Sequence, residues 1–145
     1  MRKLNIIISM LALSAMVIAC SHSKGTQKVE AKTSLITTAS GLQYEDITEG
    51  TGEVAKVGQT MFVHYKGYLE NGTVFDNSYD RKQPIQVSVP PKNLIQGWIE
   101  GIPPVKKGGK RKLIIPPSLG YGSRAMGTIP PNSKLIFEIE VVDIK

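Results

Sequence analysis

The stretch NLIQGWIEG, residues 93–101, decides the fold that we predict for this chain of 145 residues. It holds the only tryptophan, Trp98. Apolar residues recur in and just after it at helical steps of three and four, at positions 94, 95, 98, 99 and 102. Proline pairs stand on both sides. Because proline is tolerated ahead of a helix but cannot continue one, we predict a single helix of about two turns. Gly97 leaves room for another group to approach the tryptophan.

Most other patterned segments alternate between apolar and polar residues, which is typical of β-strands. Alternation predicts strands over residues 42–47, 60–69, 73–75, 85–89, 111–115 and 135–141. The Asn71-Gly72 pair favours a hairpin, since both residues accept a positive φ. We therefore predict an α+β fold, a twisted antiparallel sheet of about five or six strands wrapped around one short α-helix. Alternation also places His64 on the face opposite Tyr65, so we assign His64 a structural role.

Charge and cysteine content exclude several classes of function. The chain carries a formal charge of +6, but residues 40–145 hold 13 basic and 11 acidic residues and are only +2. We therefore expect no nucleic-acid binding. The basic cluster KKGGKRK, residues 106–112, is interpreted as a solvated turn and strand start, with a patch for phosphate or an acidic partner as the alternative. With one cysteine and two distant histidines, neither a metal site nor a cofactor is expected.

The N-terminus has the pattern of an export signal. After a basic start, residues 6–19 are almost wholly apolar, which is too short to span about 30 Å of hydrocarbon but suits a signal peptide. A buried N-terminal helix is the weaker alternative. The residues VIAC at 17–20 resemble the lipobox of bacterial lipoproteins, in which the cysteine is lipidated. The resemblance implies a signal peptide over 1–19, a lipidated Cys20 opening a flexible tether over 20–39, and a membrane anchor in a bacterial cell envelope, facing periplasm or exterior.

Six further segments resemble the FK506-binding-protein family of peptidyl-prolyl isomerases. They are VHYKG at 63–67, GTVFDNS at 72–78, IQGW at 95–98, GYG at 120–122, IPPN at 129–132 and LIFE at 135–138. The resemblance covers residues 40–145 as one domain. It implies a half-wrapped sheet around a short helix, acceleration of rotation about X-Pro bonds, proline-containing polypeptides as partners, and FK506-like macrolides as inhibitors. We see no dimerisation segment and expect a monomer.

The resemblance also implies a pocket. Its catalytic residues would be Tyr65, Phe75, Asp76, Trp98, Tyr121 and Phe137, and its further substrate-binding residues Arg81, Ile85, Leu94, Ile95 and Ile129. In the family, the backbone N–H at the position of Ile95 grips a ligand carbonyl, and the arginine matching Arg81 pairs with the aspartate. Two features depart from the family. Ile85 stands where many members have phenylalanine, and the loop before Pro130 is one residue shorter and lacks a common histidine.

Such a pocket needs no nucleophile. The X-Pro barrier of about 18–20 kcal/mol comes from amide resonance, and the transition state is a twisted amide. A rate gain of about 10⁴ requires only about 5.5 kcal/mol, which an apolar aromatic cup can supply. We expect Asp76 to pair with Arg81 and the Tyr65 hydroxyl and to polarise the site without transferring a proton. The alternatives are a non-catalytic binding module or chaperone with the same pocket, and a docking protein that uses residues 106–112.

Overall fold

The computed structural model describes residues 34–145. The predicted signal peptide, Cys20 and most of the predicted tether lie outside the described residues, so those assignments stay predictions. Within residues 34–145, no helix is both long and apolar enough to cross a membrane. The same range contains no group of three or more His, Cys, Asp or Glu side chains that could hold a metal ion.

Within residues 34–145, seven strands form one antiparallel sheet, and one short α-helix packs on it. In chain order the elements are β1 (Ile36–Thr37), β2 (Gln43–Thr48), β3 (Thr60–Leu69), β4 (Val74–Asn77), β5 (Ile85–Ser88), α1 (Gln96–Gly101), β6 (Lys110–Ile115) and β7 (Leu135–Ile144), with a 3₁₀ turn at Pro117–Leu119. The sheet order is β1-β2-β6-β7-β3-β4, and β5 also pairs with β3. The predicted fold class is confirmed. The strand count is higher than predicted because β1 is only two residues long and shows no alternation; it lies in the segment predicted to be a tether.

Helix α1 is stabilised by packing, not by local signals. Ile95 precedes it in an extended conformation and contributes no side-chain cap. A helix this short is marginal on its own, so burial of Trp98 and its neighbours must stabilise it. Gly97 makes that burial possible, because a Cβ at this position would lie 2.6 Å from the Cγ2 atom of Ile115 on β6. The space that the sequence predicted beside Trp98 is therefore filled by the sheet.

The core follows the predicted alternation. On β3 the buried residues are Met61, Val63, Tyr65, Gly67 and Leu69, and on β7 they are Leu135, Phe137, Ile139 and Val141. Trp98 is only 4% exposed, where the helix meets the sheet. His64 lies on the opposite face of β3, as predicted, and its ring stacks on that of Tyr79.

The basic cluster over residues 106–112 is largely paired with acidic side chains. The pairs are Lys106–Glu49 at 2.7 Å, Lys107–Asp143 at 2.6 Å, Lys110–Glu140 at 3.2 Å and Arg111–Asp46 at 2.6 Å. Four of the five cations in the cluster thus meet a carboxylate across the sheet or its turns. Because these pairs offset most of the cluster's charge, the structure favours a solvated turn and strand start over an anion-binding patch.

Candidate active site

One pocket lies between the sheet, the start of α1 and the loop that follows β6. Its volume is about 690 Å³. Ten of the eleven predicted pocket residues line it, namely Tyr65, Phe75, Asp76, Ile85, Leu94, Ile95, Trp98, Tyr121, Ile129 and Phe137. The eleventh, Arg81, does not line the pocket but bonds to Asp76 beside it. The structure thus brings the predicted set together, while the catalytic role of each residue stays a prediction.

Aromatic rings form the inner part of the pocket through edge-to-face contacts. The centroid of Trp98 lies 5.1 Å from that of Tyr65 and 5.2 Å from that of Phe137, with interplanar angles of 86° and 88°. Phe75 meets Phe137 at 5.4 Å and 82°. Edge-to-face pairs of this kind are favourable beyond their buried area. These contacts therefore help to orient the four rings relative to one another.

A bulge in β4 places two consecutive residues in the pocket. Regular alternation would send Phe75 and Asp76 to opposite faces of the sheet. The register between β3 and β4 shifts, however, so that Gly67 opposes Asp76 while Tyr68 opposes Val74, and Phe75 is the extra residue. Gly67 also admits the Phe75 ring, because a Cβ at this position would lie 2.6 Å from it.

Asp76 is paired with the two predicted partners, Tyr65 and Arg81. The Tyr65 hydroxyl donates to its Oδ2 atom, and the Arg81 guanidinium donates to Oδ1 at 2.6 Å. A second guanidinium nitrogen of Arg81 donates to the Tyr65 hydroxyl oxygen at 3.0 Å. The three side chains close a ring of hydrogen bonds, which orients the carboxylate at the edge of an otherwise apolar pocket.

These contacts shift two pKa values away from the neutral range. Burial alone would raise the pKa of Asp76, but the hydrogen bonds from Arg81 and Tyr65 outweigh it and hold that pKa below its ordinary value. Burial, followed by the hydrogen bond to Asp76, raises the pKa of the Tyr65 hydroxyl above its ordinary value. At neutral pH the site therefore contains a carboxylate and a protonated tyrosine.

The loop after β6 supplies pocket residues that the sequence did not predict. Met126 and Ile129 form a small hairpin closed by two backbone hydrogen bonds of 3.0 and 2.9 Å. The Asn132 N–H donates to the Gly122 carbonyl at 2.8 Å and closes the base of the loop. From this loop Met126, Gly127 and Thr128 line the pocket, and Asn93, which lies ahead of α1, is a fourth unpredicted lining residue. Neither alternation nor helical spacing marks these positions, so only the tertiary arrangement identifies them.

Comparison with known proteins assigns the family. A model of the FKBP-type peptidyl-prolyl cis-trans isomerase family matches residues 52–142. The chain belongs to this family. Its activity is therefore peptidyl-prolyl cis-trans isomerisation, and the family predicted from the sequence motifs is confirmed.

FKBP relatives match this chain in sequence and in structure. The FK506-binding protein of Neisseria meningitidis serogroup B is 50% identical over 105 residues, covering 72% of this chain and 96% of that protein. FkpA of Escherichia coli K12 is 46% identical over 109 residues, covering 75% of this chain but only 40% of FkpA. The crystal structure of AtFKBP13 matches with a TM-score of 0.68 and 42% identity, covering 76% of this chain and 98% of AtFKBP13.

The FKBP site is expected to have a flat pH–activity profile between about pH 6 and 8. Because the pKa of Asp76 is lowered, its ionised form stabilises the fold above the ordinary carboxyl pKa of about 4, and this contribution is lost as pH falls through the lowered value. The pKa of Tyr65 is raised, so its protonated hydroxyl stabilises the fold below about pH 10. This contribution to stability is lost only as pH rises past that value. Steady-state kcat/KM measured at half-unit steps of pH checks this. A bell-shaped profile inside that window would contradict it, since it would require two groups essential to catalysis to titrate between pH 6 and 8.

Proposed function

We propose that the pocket holds the proline ring of an X-Pro segment and stabilises the twisted amide without covalent chemistry. The observation that carries this proposal is an aromatic pocket whose single carboxylate accepts hydrogen bonds from Tyr65 and Arg81. A carboxylate that accepts from both side chains is held in a fixed orientation, where it polarises the site, and its lowered pKa makes it a weak base. Rotation about an amide needs neither a nucleophile nor a base, because no bond to carbon forms.

Each part of the pocket has a role in this mechanism. Trp98 and Phe137 form an apolar floor and wall for the proline ring, which excludes water and disfavours the charge-separated planar amide. The backbone N–H of Ile95 lies just ahead of α1, among the groups that have no acceptor within a helix, and would hold a substrate carbonyl. The hydroxyl of Tyr121 would donate a second hydrogen bond to the substrate.

A second candidate, a non-catalytic peptide-binding module, is favoured by one observation. Met126 lines the pocket yet is 46% exposed, at the tip of the shortened loop. Exposed methionine beside an apolar pocket is typical of adaptable binding surfaces. The two functions share the pocket but differ in turnover, so a rate measurement separates them.

Isomerisation of short X-Pro peptides by residues 21–145 tests the catalytic proposal. We expect acceleration that FK506 blocks, and a loss of kcat/KM of at least about tenfold in Trp98→Ala, since the floor of the pocket is removed. Phe62→Ala is the matched control, because Phe62 lies on the opposite face of β3 and its ring contacts Lys145 instead. A folded wild-type chain with no acceleration would favour the binding module.

We infer that the chain is exported and anchored by lipid on Cys20, in the envelope of a bacterium. The support is the basic start, the short apolar run over residues 6–19 and the small residue before the only cysteine. Lipoproteins carry several acyl chains, and several chains anchor a protein stably where one does not. An envelope location would direct the isomerase towards newly exported polypeptides.

Cys20→Ser is expected to release the protein from membranes, because serine cannot receive the thioether-linked lipid. The measurement is fractionation of cells into membrane and soluble protein after labelling with a radioactive fatty acid. Ser21→Ala, which changes the neighbouring residue and keeps the thiol, should stay labelled and membrane-bound. Persistence of the Cys20→Ser protein in the membrane fraction would overturn the proposed anchor.

A further inference from the structure

Ser78 is a fully buried polar residue next to the site. It is 0% exposed, and Ser78 and Arg111 are the two buried polar or charged side chains among residues 34–145. Ser78 directly follows β4, where the chain leaves the sheet. A buried hydroxyl is costly unless it is hydrogen-bonded, so its partners indicate what it stabilises.

The partners of Ser78 are the backbone groups of Tyr65. The Tyr65 N–H donates to the Ser78 Oγ at 2.8 Å, and the Ser78 N–H donates to the Tyr65 carbonyl at 2.9 Å. The Oγ also lies 3.1 Å from that carbonyl. The β3–β4 ladder ends one pair earlier, at Lys66 and Asn77. The hydroxyl of Ser78 therefore takes the place of the next backbone carbonyl and satisfies an N–H that the departing chain would otherwise leave unpaired.

The same two segments meet again at the site. Tyr65 donates its side-chain hydroxyl to Asp76, two residues before Ser78. Tyr65 is thus bonded through its backbone to Ser78 and through its hydroxyl to Asp76. These two partners are separated by a single residue in the chain. If the backbone contact is lost, the C-terminal end of β4 can shift against β3, and the Asp76 carboxylate shifts relative to the Tyr65 hydroxyl.

His64 completes the hydrogen bonding of Ser78 from the outer face of the sheet. Its Nδ1 atom lies 2.9 Å from the Ser78 Oγ. A serine hydroxyl donates once and accepts twice. Because the Oγ donates to the Tyr65 carbonyl and accepts from the Tyr65 N–H, one acceptor position is left, and the tautomer of His64 that carries its proton on Nδ1 fills it. The imidazole is held in turn by Tyr79, on which it stacks at 4.6 Å.

We propose that Ser78 is a positioning residue for catalysis, which sets the Tyr65 hydroxyl and the Asp76 carboxylate in register with each other. This inference rests on the proposed roles of Tyr65 and Asp76. Ser78 itself does not line the pocket. Its removal should therefore disturb the geometry of the Tyr65–Asp76 pair while leaving the proline-binding aromatic surface in place.

Kinetics of Ser78 variants of the full chain test the proposal. Ser78→Ala is expected to lower kcat about tenfold with KM within about twofold, since small misplacements at a site cost rate more than affinity. Ser78→Cys keeps the shape of the side chain but has only a weak donor, so its kcat should fall by a similar factor. Ser78→Thr keeps the hydroxyl and should retain a higher kcat than Ser78→Ala. Ser88→Ala is the control, because its hydroxyl bonds the exposed Pro90 carbonyl.

Nuclear magnetic resonance of the Tyr65 ring supplies a second readout that does not depend on turnover. With ¹³Cζ-labelled tyrosine, assigned by Tyr65→Phe, the Tyr65 signal should move in Ser78→Ala and stay in Ser88→Ala. Equal kcat losses in the Thr and Ala variants, or an unmoved Tyr65 signal, would overturn the proposal. If Ser78→Ala does not fold, Ser78→Cys carries both measurements. A wild-type chain without isomerase activity would refute the proposed function, and the Tyr65 signal would still decide whether Ser78 positions the ring.

Discussion

Gly67→Ala should lower kcat/KM about a hundredfold, the size expected when a catalytic site is displaced by about 1 Å. A Cβ at this position would lie 2.6 Å from the Phe75 ring and 2.8 Å from the Phe137 ring. Contacts below 3.0 Å force something to move, and here the groups that must move are two walls of the pocket. We also expect a stability loss of about 1–3 kcal/mol, which is typical of overpacking.

Gly101→Ala separates the effect on the pocket from the effect on stability. An added Cβ there would lie 2.6 Å from the Leu113 Cδ2 atom, a similar overlap, but neither residue lines the pocket. We expect Gly101→Ala to lose stability and keep kcat/KM within about threefold. Peptide isomerisation and thermal unfolding of both variants check this. Equal losses of activity in the two variants would mean that destabilisation, and not displacement of the rings, explains the effect.

Arg111→Ala is expected to lower the free energy of unfolding by about 3 kcal/mol, the lower end of the range for breaking a buried pair. The Arg111 side chain is 6% exposed, and its guanidinium donates to both carboxylate oxygens of Asp46, at 2.6 and 2.8 Å. It also donates to the Gly101 carbonyl at 2.9 Å, at the end of α1, and lies 4.3 Å from the Tyr44 ring centroid. One side chain thus connects β2, β6 and the helix. Asp46 is partly exposed and can regain water, which is why we take the lower value.

Lys106→Ala is the matched control for Arg111→Ala. Its ion pair with Glu49 is almost as short, at 2.7 Å, but both side chains are well exposed. Exposed pairs contribute about 1 kcal/mol or less. Urea unfolding of the two variants compares them, with the denaturant slope checked for constancy. A loss in Arg111→Ala no larger than in Lys106→Ala would show that burial of this pair does not stabilise the fold.

The resemblance to the FKBP family predicted most of the candidate pocket, because the residues that carry it lie in short motifs that can be recognised along the chain. Four of these residues, Tyr65, Phe75, Asp76 and Trp98, belong to the motifs VHYKG, GTVFDNS and IQGW, and all four line the pocket. The loop residues Met126, Gly127 and Thr128 were not assigned to it, since their position depends on a hairpin that no periodicity marks. Ser78 lay inside a recognised motif, yet its partners became visible only when β3 and β4 were placed side by side.

The sequence by itself determined which face of β3, β5, β6 and β7 is buried and where the helix among residues 34–145 lies. Alternation and helical spacing are properties of consecutive residues, so they can be read along the chain without knowing its partners. Only the tertiary structure decided the contacts between distant segments. It placed Ile115 against Gly97, added β1 to the sheet edge, and paired Arg111 with Asp46, 65 residues away. Those contacts depend on strand order and register, which local pattern does not specify.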